Sequence, residues 1–430
     1  MTAAEQDRRS TLLAFAAVTT LFLAWGFITS NNDPLIVALR AAFSLNYTEA
    51  LFTQIVFFLA FGLLSLPAAW VTSRIGPVDM ILGSLAVMVC GCLLVVLSTN
   101  LAAFVPILIA LFVLAAGYTA LQVAANPLAA GLGSQQYSHF RLNFAQAFNS
   151  LGVVIGVHFG SLVMLGDPAL AVGSGAILEA SRRHELLAAV DRAFLIMAAL
   201  LGTLLLFFAV SRSFLVRAAP RGLPSPTGMF EALRSRWAIF GAVAIGLYVG
   251  AEVSIGSIMI NFLNQPDVLG ISFEDAGGYL ANFYWGGALC GRIAGTLLLT
   301  RVRAAGLLAT CGIVAALLCM VVLASDGEVS GYAALAIGFF NSIMFPTIFS
   351  LTLERSGVSS SATSGLLCLA ILGGALLPIA VGTIADIFGL SASFIVPLGA
   401  YAFIAIFAVA ARDGQNALSP QPEIGESPIP

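Results

Sequence analysis

The sequence contains no lysine: all 18 basic residues are arginine, set against 21 acidic ones in a chain of 430. Charged residues make up 9% of it, where a soluble domain carries about a quarter. A net charge of −3 with so few cations argues against a nucleic-acid partner. Cysteine is also scarce. The six (Cys90, Cys92, Cys290, Cys311, Cys319 and Cys368) all fall in apolar runs and read as small buried hydrophobes. Cys90-Gly-Cys92 has the wrong spacing for a CxxC redox or metal pair. There is no Walker loop, no HExxH and no Gly-x-Ser-x-Gly, so neither ATP use nor an enzymatic reaction is expected, and no cofactor. The three histidines are His139, His158 and His184. Only His158 lies mid-span, and it reads as a core histidine in preference to a proton relay.

What the chain does have is apolar sequence. Hydrophobic residues make up 60% of it, roughly 260 residues, enough for about twelve membrane spans of about 20 residues and for little else. The expected spans run 12–42, 47–73, 78–98, 102–131, 141–165, 188–211, 237–263, 273–299, 304–324, 330–354, 361–388 and 391–411. The first is too long for one straight helix, and Pro34 is expected to break or tilt it. No small-residue cleavage site follows the short polar start, so this stretch reads as a retained first span.

Most of the 18 arginines, among them Arg74, Arg141, Arg212, Arg217, Arg301, Arg303, Arg355 and Arg412, then share one side with both termini. The positive-inside rule makes that side the cytoplasm, so the chain is expected to be a multi-pass protein of a bacterial inner membrane. Residues 212–236, rich in Arg, Pro and Ser, divide the chain. The expected organisation is a cytoplasmic N-terminus (1–11), a six-helix half (12–211), a cytoplasmic linker (212–236), a second six-helix half (237–411) and a disordered cytoplasmic tail (412–430). The halves look distantly repeated. Gln122 stands five residues before Pro127, and Asn341 five before Pro346. An all-α fold of twelve transmembrane helices in two pseudo-symmetric six-helix halves is the architecture of major facilitator transporters.

Polar groups inside spans are costly and mark function by default. Span one carries Asn32 and Asp33 just before Pro34, which leaves the Ser30 carbonyl without a helical N–H. A helix cap at Asp33 is the bland alternative. Span four places Gln122 and Asn126 on one face, and Pro127 frees the carbonyl of Val123. Span five repeats the pattern with Asn143, Gln146 and Asn149. Amides both donate and accept, as sugar hydroxyls do, so such a set suits a neutral polyol; interhelical bonding is the alternative. Span seven holds Glu252 amid apolar residues, and span eight supplies Asn282, Trp285 and Arg292. Trp285 is suited to stack on a sugar ring. Arg292 is expected to make an ion pair or a contact at the cytoplasmic end. With no ATP site, Asp33 and Glu252 are the natural handles for a driving cation, either by taking up a proton or by coordinating Na⁺.

The stretches Ala24-Trp-Gly-Phe-Ile-Thr-Ser-Asn-Asn-Asp33, Leu121-Gln-Val-Ala-Ala-Asn-Pro127, Phe140 to Gly152 and Phe345-Pro-Thr-Ile-Phe-Ser350 carry a resemblance. The chain resembles the fucose/galactose/glucose symporter branch of the major facilitator superfamily over residues 12 to 411. Fucose symporters have glutamate in span four and glutamine in span seven. Gln122 and Glu252 reverse this and, with Tyr284-Trp-Gly-Gly287 and Asn341 to Pro346, look like the glucose/galactose subgroup.

The resemblance implies cation-coupled uptake of a hexose, glucose or galactose, by alternating access. Asn32, Gln122, Asn126, Gln146, Asn149, Asn282, Trp285 and Asn341 would bind the sugar, with Asp33 and Glu252 for coupling. Members use H⁺ or Na⁺, and a sodium ion would lie near Asp33 or Glu252. Other solutes for the same fold are an amino sugar, a disaccharide, fucose or a drug moved by antiport. The partners expected are the small-molecule sugar and the lipid bilayer, with the protein as a monomer. The facilitator motif after span two keeps only Arg74 and Gly76, with Ser73 where Asp is usual, so the lock on that side is expected to use other residues.

Overall fold

The computed structural model describes residues 3–43, 45, 47–101, 103–165, 180–219, 228 and 230–413; a few side chains within them, Asp33 among these, lie outside the described set. The expected tail and the middle of the expected linker also lie outside it. Every regular element among the described residues is helical.

The first half comprises α1 (Ala3–Ser30), α2 (Asn32–Phe43), α3 (Tyr47–Ile75), α4 (Pro77–Asn100), α5 (Phe104–Gly131), α6 (Ser138–Leu165) and α7 (Ala180–Val210). A short α8 (Arg212–Ala218) opens the connection to the second half. That half begins with α9 (Arg236–Asn264) and α10 (Phe273–Tyr279), then a π-helical stretch at Leu280–Trp285 and α11 (Gly286–Leu298). It continues through α12 (Ala304–Ala324), α13 (Gly327–Asn341), α14 (Met344–Arg355), α15 (Ser360–Ala370), α16 (Gly373–Phe388), α17 (Leu390–Ser393) and α18 (Ile395–Asp413). Eleven helical stretches among the described residues are long and apolar enough to cross a membrane. The segment from α10 through α11 supplies the twelfth, helical throughout but in three pieces.

The breaks follow from proline chemistry. Span one is interrupted at Asn31, where the missing N–H of Pro34 costs Ser30 its helical bond. The helix resumes at Asn32, so Asp33 lies within its first turn and is not the cap. The break at Ser342 and Ile343 is placed likewise, ahead of Pro346. Serines open several helices: the Ser235, Ser272 and Ser359 hydroxyls accept from the backbone N–H of Ala238, Asp275 and Ala362. Gly76, at φ +88°, makes the turn into α4, with Pro77 at the first helical position.

Large apolar side chains such as Leu97, Leu162, Leu206 and Ile379 stand exposed on the outside of the bundle. In water such a surface would aggregate; in a bilayer it faces its proper solvent. Two cysteines belong to the exposed set. Cys90 and Cys290 are not buried as expected, whereas Cys92, Cys311, Cys319 and Cys368 are. His158 departs too: it is exposed, and its Nδ1 lies 2.8 Å from the Val154 carbonyl of its own helix.

An even number of spans puts the first and last described residues, Ala3 and Asp413, on one side of the bundle, here called the terminal side. The halves meet there. Gly365 of α15 lies so close to α3 that an added Cβ would overlap Ala69 and press on the Ser65 carbonyl. Within the first half, α1 and α6 touch backbone to backbone. Gly26 lies against the Asn149 carbonyl, Gly152 against that of Leu23, and Gly156 against Phe27 and Ser30. Small residues allow such approach where apolar lipid supplies no drive for helices to associate.

Candidate substrate and coupling site

The polar residues expected to matter divide by what they touch. On α5, Gln122 and Asn126 are both buried, Asn126 at 0% exposure. Neither amide atom of Asn126 has a protein partner, nor does Oε1 of Gln122. On α6, Gln146 is buried with Nε2 unpartnered. Asn341, at the end of α13, is fully buried; its Nδ2 donates to the Tyr284 hydroxyl at 3.0 Å and its Oδ1 is unpartnered. Asn32 is half-buried, with its Oδ1 also unpartnered. An unpaired buried amide atom costs about 1–3 kcal/mol, and several together mark a site shaped for something other than the fold.

Asn149 does different work: its Nδ2 donates to the Phe22 carbonyl at 3.2 Å, stitching α6 to α1. Asn282 and Trp285 lie in the π-helical stretch and are exposed, Trp285 at 46%. Trp285 packs edge-on to Tyr284, with ring centroids 5.0 Å apart, and its rim faces Gly256 of α9. A π turn inserts an extra residue and is common at functional sites. Nothing in the sequence marked it.

Glu252 sits on α9 within a hydrogen-bonded chain. The Tyr248 hydroxyl, one turn earlier, donates to Oε1 of Glu252 at 2.7 Å. The Tyr284 hydroxyl lies 3.5 Å from the Glu252 backbone carbonyl and in turn accepts from Asn341. Tyr248 and Tyr284 are both essentially fully buried. A carboxylate, two phenols and an amide therefore link α9, the π stretch and α13.

Arg292 makes no ion pair among the described residues. Its Nε donates to the Ser342 carbonyl at 2.8 Å, and its Nη1 donates to the Ser150 hydroxyl and, at 3.3 Å, to the Gln146 carbonyl. Of the two expectations for Arg292, the ion pair is absent among the described residues, and neutral oxygens of both halves take its place.

Nearer the terminal side a further cluster joins the halves. His139 on α6 places Nδ1 2.7 Å from the Ser350 hydroxyl and Nε2 3.2 Å from Oε2 of Glu354 on α14. Ser138 donates to the other oxygen of Glu354, and Asn143 donates to Thr347 at 3.3 Å. These contacts tie α6 to α14 across the two halves, at a place the degenerate motif does not mark. Arg74 itself stacks over Trp70, 4.9 Å from the ring centroid. Arg141, expected only as a topology marker, is buried and donates to the Ala129, Ala130 and Ser134 carbonyls. It thus satisfies the open end of α5.

A bundle of membrane-spanning helices with unpartnered amides buried inside it has the make-up of a membrane carrier. The family model of the Major Facilitator Superfamily matches residues 10–371, and the chain belongs to that superfamily. Within it, the chain falls in the glucose/galactose and fucose transporter branch. It is 40% identical over 394 residues to the glucose/galactose transporter of Brucella abortus biovar 1 (strain 9-941), covering 92% of this chain and 93% of that one. It is 28% identical over 419 residues to the L-fucose-proton symporter of Escherichia coli (strain K12), covering 93% of each. The solved structure of the transporter FucP in the outward conformation superposes with a TM-score of 0.83 at 26% identity, over 94% of this chain and 99% of that one.

Proposed function

We propose that this protein is a proton-coupled hexose carrier that takes up glucose or galactose by alternating access. The observation that carries the reading is the set of buried, unpartnered amide atoms on Gln122, Asn126, Gln146 and Asn341, with the Tyr248-held Glu252 in the same bundle. Sugar hydroxyls donate and accept in pairs, and amides answer both. Asp33 is the second coupling carboxylate. The relatives' names support sugar as cargo, and the E. coli relative's name favours a proton over sodium. The terminal side is the cytoplasm of a bacterial inner membrane, residues 212–236 join the halves there, and closure on that side corresponds to an outward-facing state.

The test is counterflow and uptake of labelled sugars in proteoliposomes, with an imposed pH gradient, in sodium-free and sodium-containing buffer at fixed pH. Glucose or galactose should exchange, and accumulate with the pH gradient alone. Accumulation that needs sodium would replace the proton. Exchange of fucose, an amino sugar or a disaccharide but neither hexose would move the substrate assignment, and drug efflux would overturn it.

Asn126→Ala should raise the sugar KM on the order of tenfold or more, because two buried hydrogen bonds of about 1 kcal/mol each are lost. The carrier should stay folded, since Asn126 makes no protein hydrogen bond through its side chain. Initial rates across a glucose series would measure this.

A further inference from the structure

Each half carries a proline that frees one backbone carbonyl. Pro127 has no N–H to offer Val123, and Pro346 has none for Ser342. The two stand at equivalent places in the repeat, each five residues after a buried amide, Gln122 and Asn341. Both freed carbonyls are answered by side chains from other helices. The Ser364 hydroxyl on α15 donates to Val123 O at 2.7 Å, a bond that crosses from the second half to the first and is fully buried. Arg292 donates to Ser342 O at 2.8 Å within its own half, and crosses to Ser150 and Gln146 in the first. The two acceptors are related by the repeat, whereas the donors come from unrelated positions. Counted along α6 and α14, the Arg292 contacts stand farther from the terminal side than the His139–Glu354 cluster.

We propose that Ser364 and Arg292 are positioning residues that set the balance between the two access states, each by docking on a proline-freed carbonyl and holding the terminal side closed. An ordinary helical carbonyl is already bonded and holds a partner poorly; a freed one is a strong acceptor with a fixed direction. Rocking the halves apart on the terminal side must break the Ser364–Val123 bond and the Arg292 bridge to α6. Both then bias the carrier away from that opening, Ser364 without contact to a proposed sugar ligand and Arg292 through the backbone carbonyl of Gln146, not its amide. The inference rests on the carrier reading but not on the identity of the sugar.

The test is hydrogen–deuterium exchange of the full-length protein in lipid nanodiscs, without sugar, for Ser364→Ala, Pro127→Ala and the double variant. Pro127→Ala returns an N–H to Val123 and so removes the seat from the other side. Losing one net buried hydrogen bond shifts a two-state ratio about fivefold. Exchange should therefore rise about fivefold in peptides covering 64–72 and 360–367 and fall in the opposite ends of α2 and α9. The double variant should match the singles. Counterflow on the same samples reads the sugar assignment separately: sugar movement can fail while the reciprocal exchange pattern stands.

Unchanged exchange in Ser364→Ala would overturn the proposal, as would a rise on both sides, which is mere loosening, or additive effects of the two substitutions. Should Ser364→Ala not fold, Pro127→Ala alone reads the same bond. For the other site, Pro346→Ala should give the same reciprocal pattern, and its absence there would limit the role to Ser364.

Discussion

Glu252→Gln is expected to abolish uphill sugar accumulation while leaving sugar exchange measurable. Glutamine keeps the shape of the side chain, and its carbonyl oxygen can accept the Tyr248 hydroxyl bond that Oε1 of Glu252 now takes. What it loses is the capacity to take up and release a proton. A carboxyl in a low-dielectric site is ionised only when partnered, so its protonation is tied to the state of the bundle. One elementary charge moved through 100 mV is worth about 2.3 kcal/mol, or roughly a fiftyfold sugar gradient. The variant should bring that ratio to about one, whereas exchange requires only that the loaded carrier reorient. Labelled sugar in energised proteoliposomes measures the first and counterflow the second. Accumulation that survives the substitution would remove Glu252 from the coupling and leave it to Asp33.

The second large effect belongs to the seam between α1 and α6. Gly152→Ala should leave little folded carrier. The added Cβ would overlap the Leu23 carbonyl oxygen and come within 2.9 Å of the Phe27 nitrogen, both backbone atoms that cannot rotate away. The helices would have to separate, and the Asn149 bond to Phe22 would go with them. Overpacking of this kind costs about 1–3 kcal/mol, and more where backbone must move. Gly202→Ala is the control, because nothing lies within 4 Å of its added Cβ on α7. There the helix-propensity gain of up to about 1 kcal/mol should keep or raise stability. Thermal unfolding in detergent, monitored by size-exclusion chromatography, compares the two. Equal stability of the two variants would mean that the seam is looser than its geometry.

The break in span one and the twelve-span count were legible because each follows from local chemistry: a proline without an N–H group and apolar runs of spanning length; the glycine seam between α1 and α6 emerges only from the packing. The buried amides were legible for the same reason, since a polar side chain in an apolar run has few explanations. Partners were not. Asn149 reads like Gln146 in sequence, yet one stitches two helices and the other stays unpartnered. For Arg292 the sequence offers an ion pair or a contact at the cytoplasmic end; in the bundle it meets a carbonyl freed by Pro346, fifty-four residues away. Proline spacing announces the acceptor; only the packed bundle selects the donor. His139 and Glu354 lie too far apart along the chain for any spacing rule to pair them. The π stretch that carries Asn282 and Trp285 has no sequence signal either, because a π turn differs from an α turn by a single inserted residue.

The glycine seam does not end at the break in span one. Gly160 continues it past Asn31, where an added Cβ would lie 2.6 Å from Asn31 Oδ1 and 2.8 Å from Pro34. The helix that bears Asp33 is thus fastened to the helix that bears Gln146. If the proposed ion handle, Asp33, and the proposed sugar ligand, Gln146, travel as one slab, neither can be turned without the other. A carrier built with a flexible joint at that place would let ions slip across unaccompanied. Tight stoichiometry would then be a property of two helices lying close enough to touch, as much as of any residue that binds cargo.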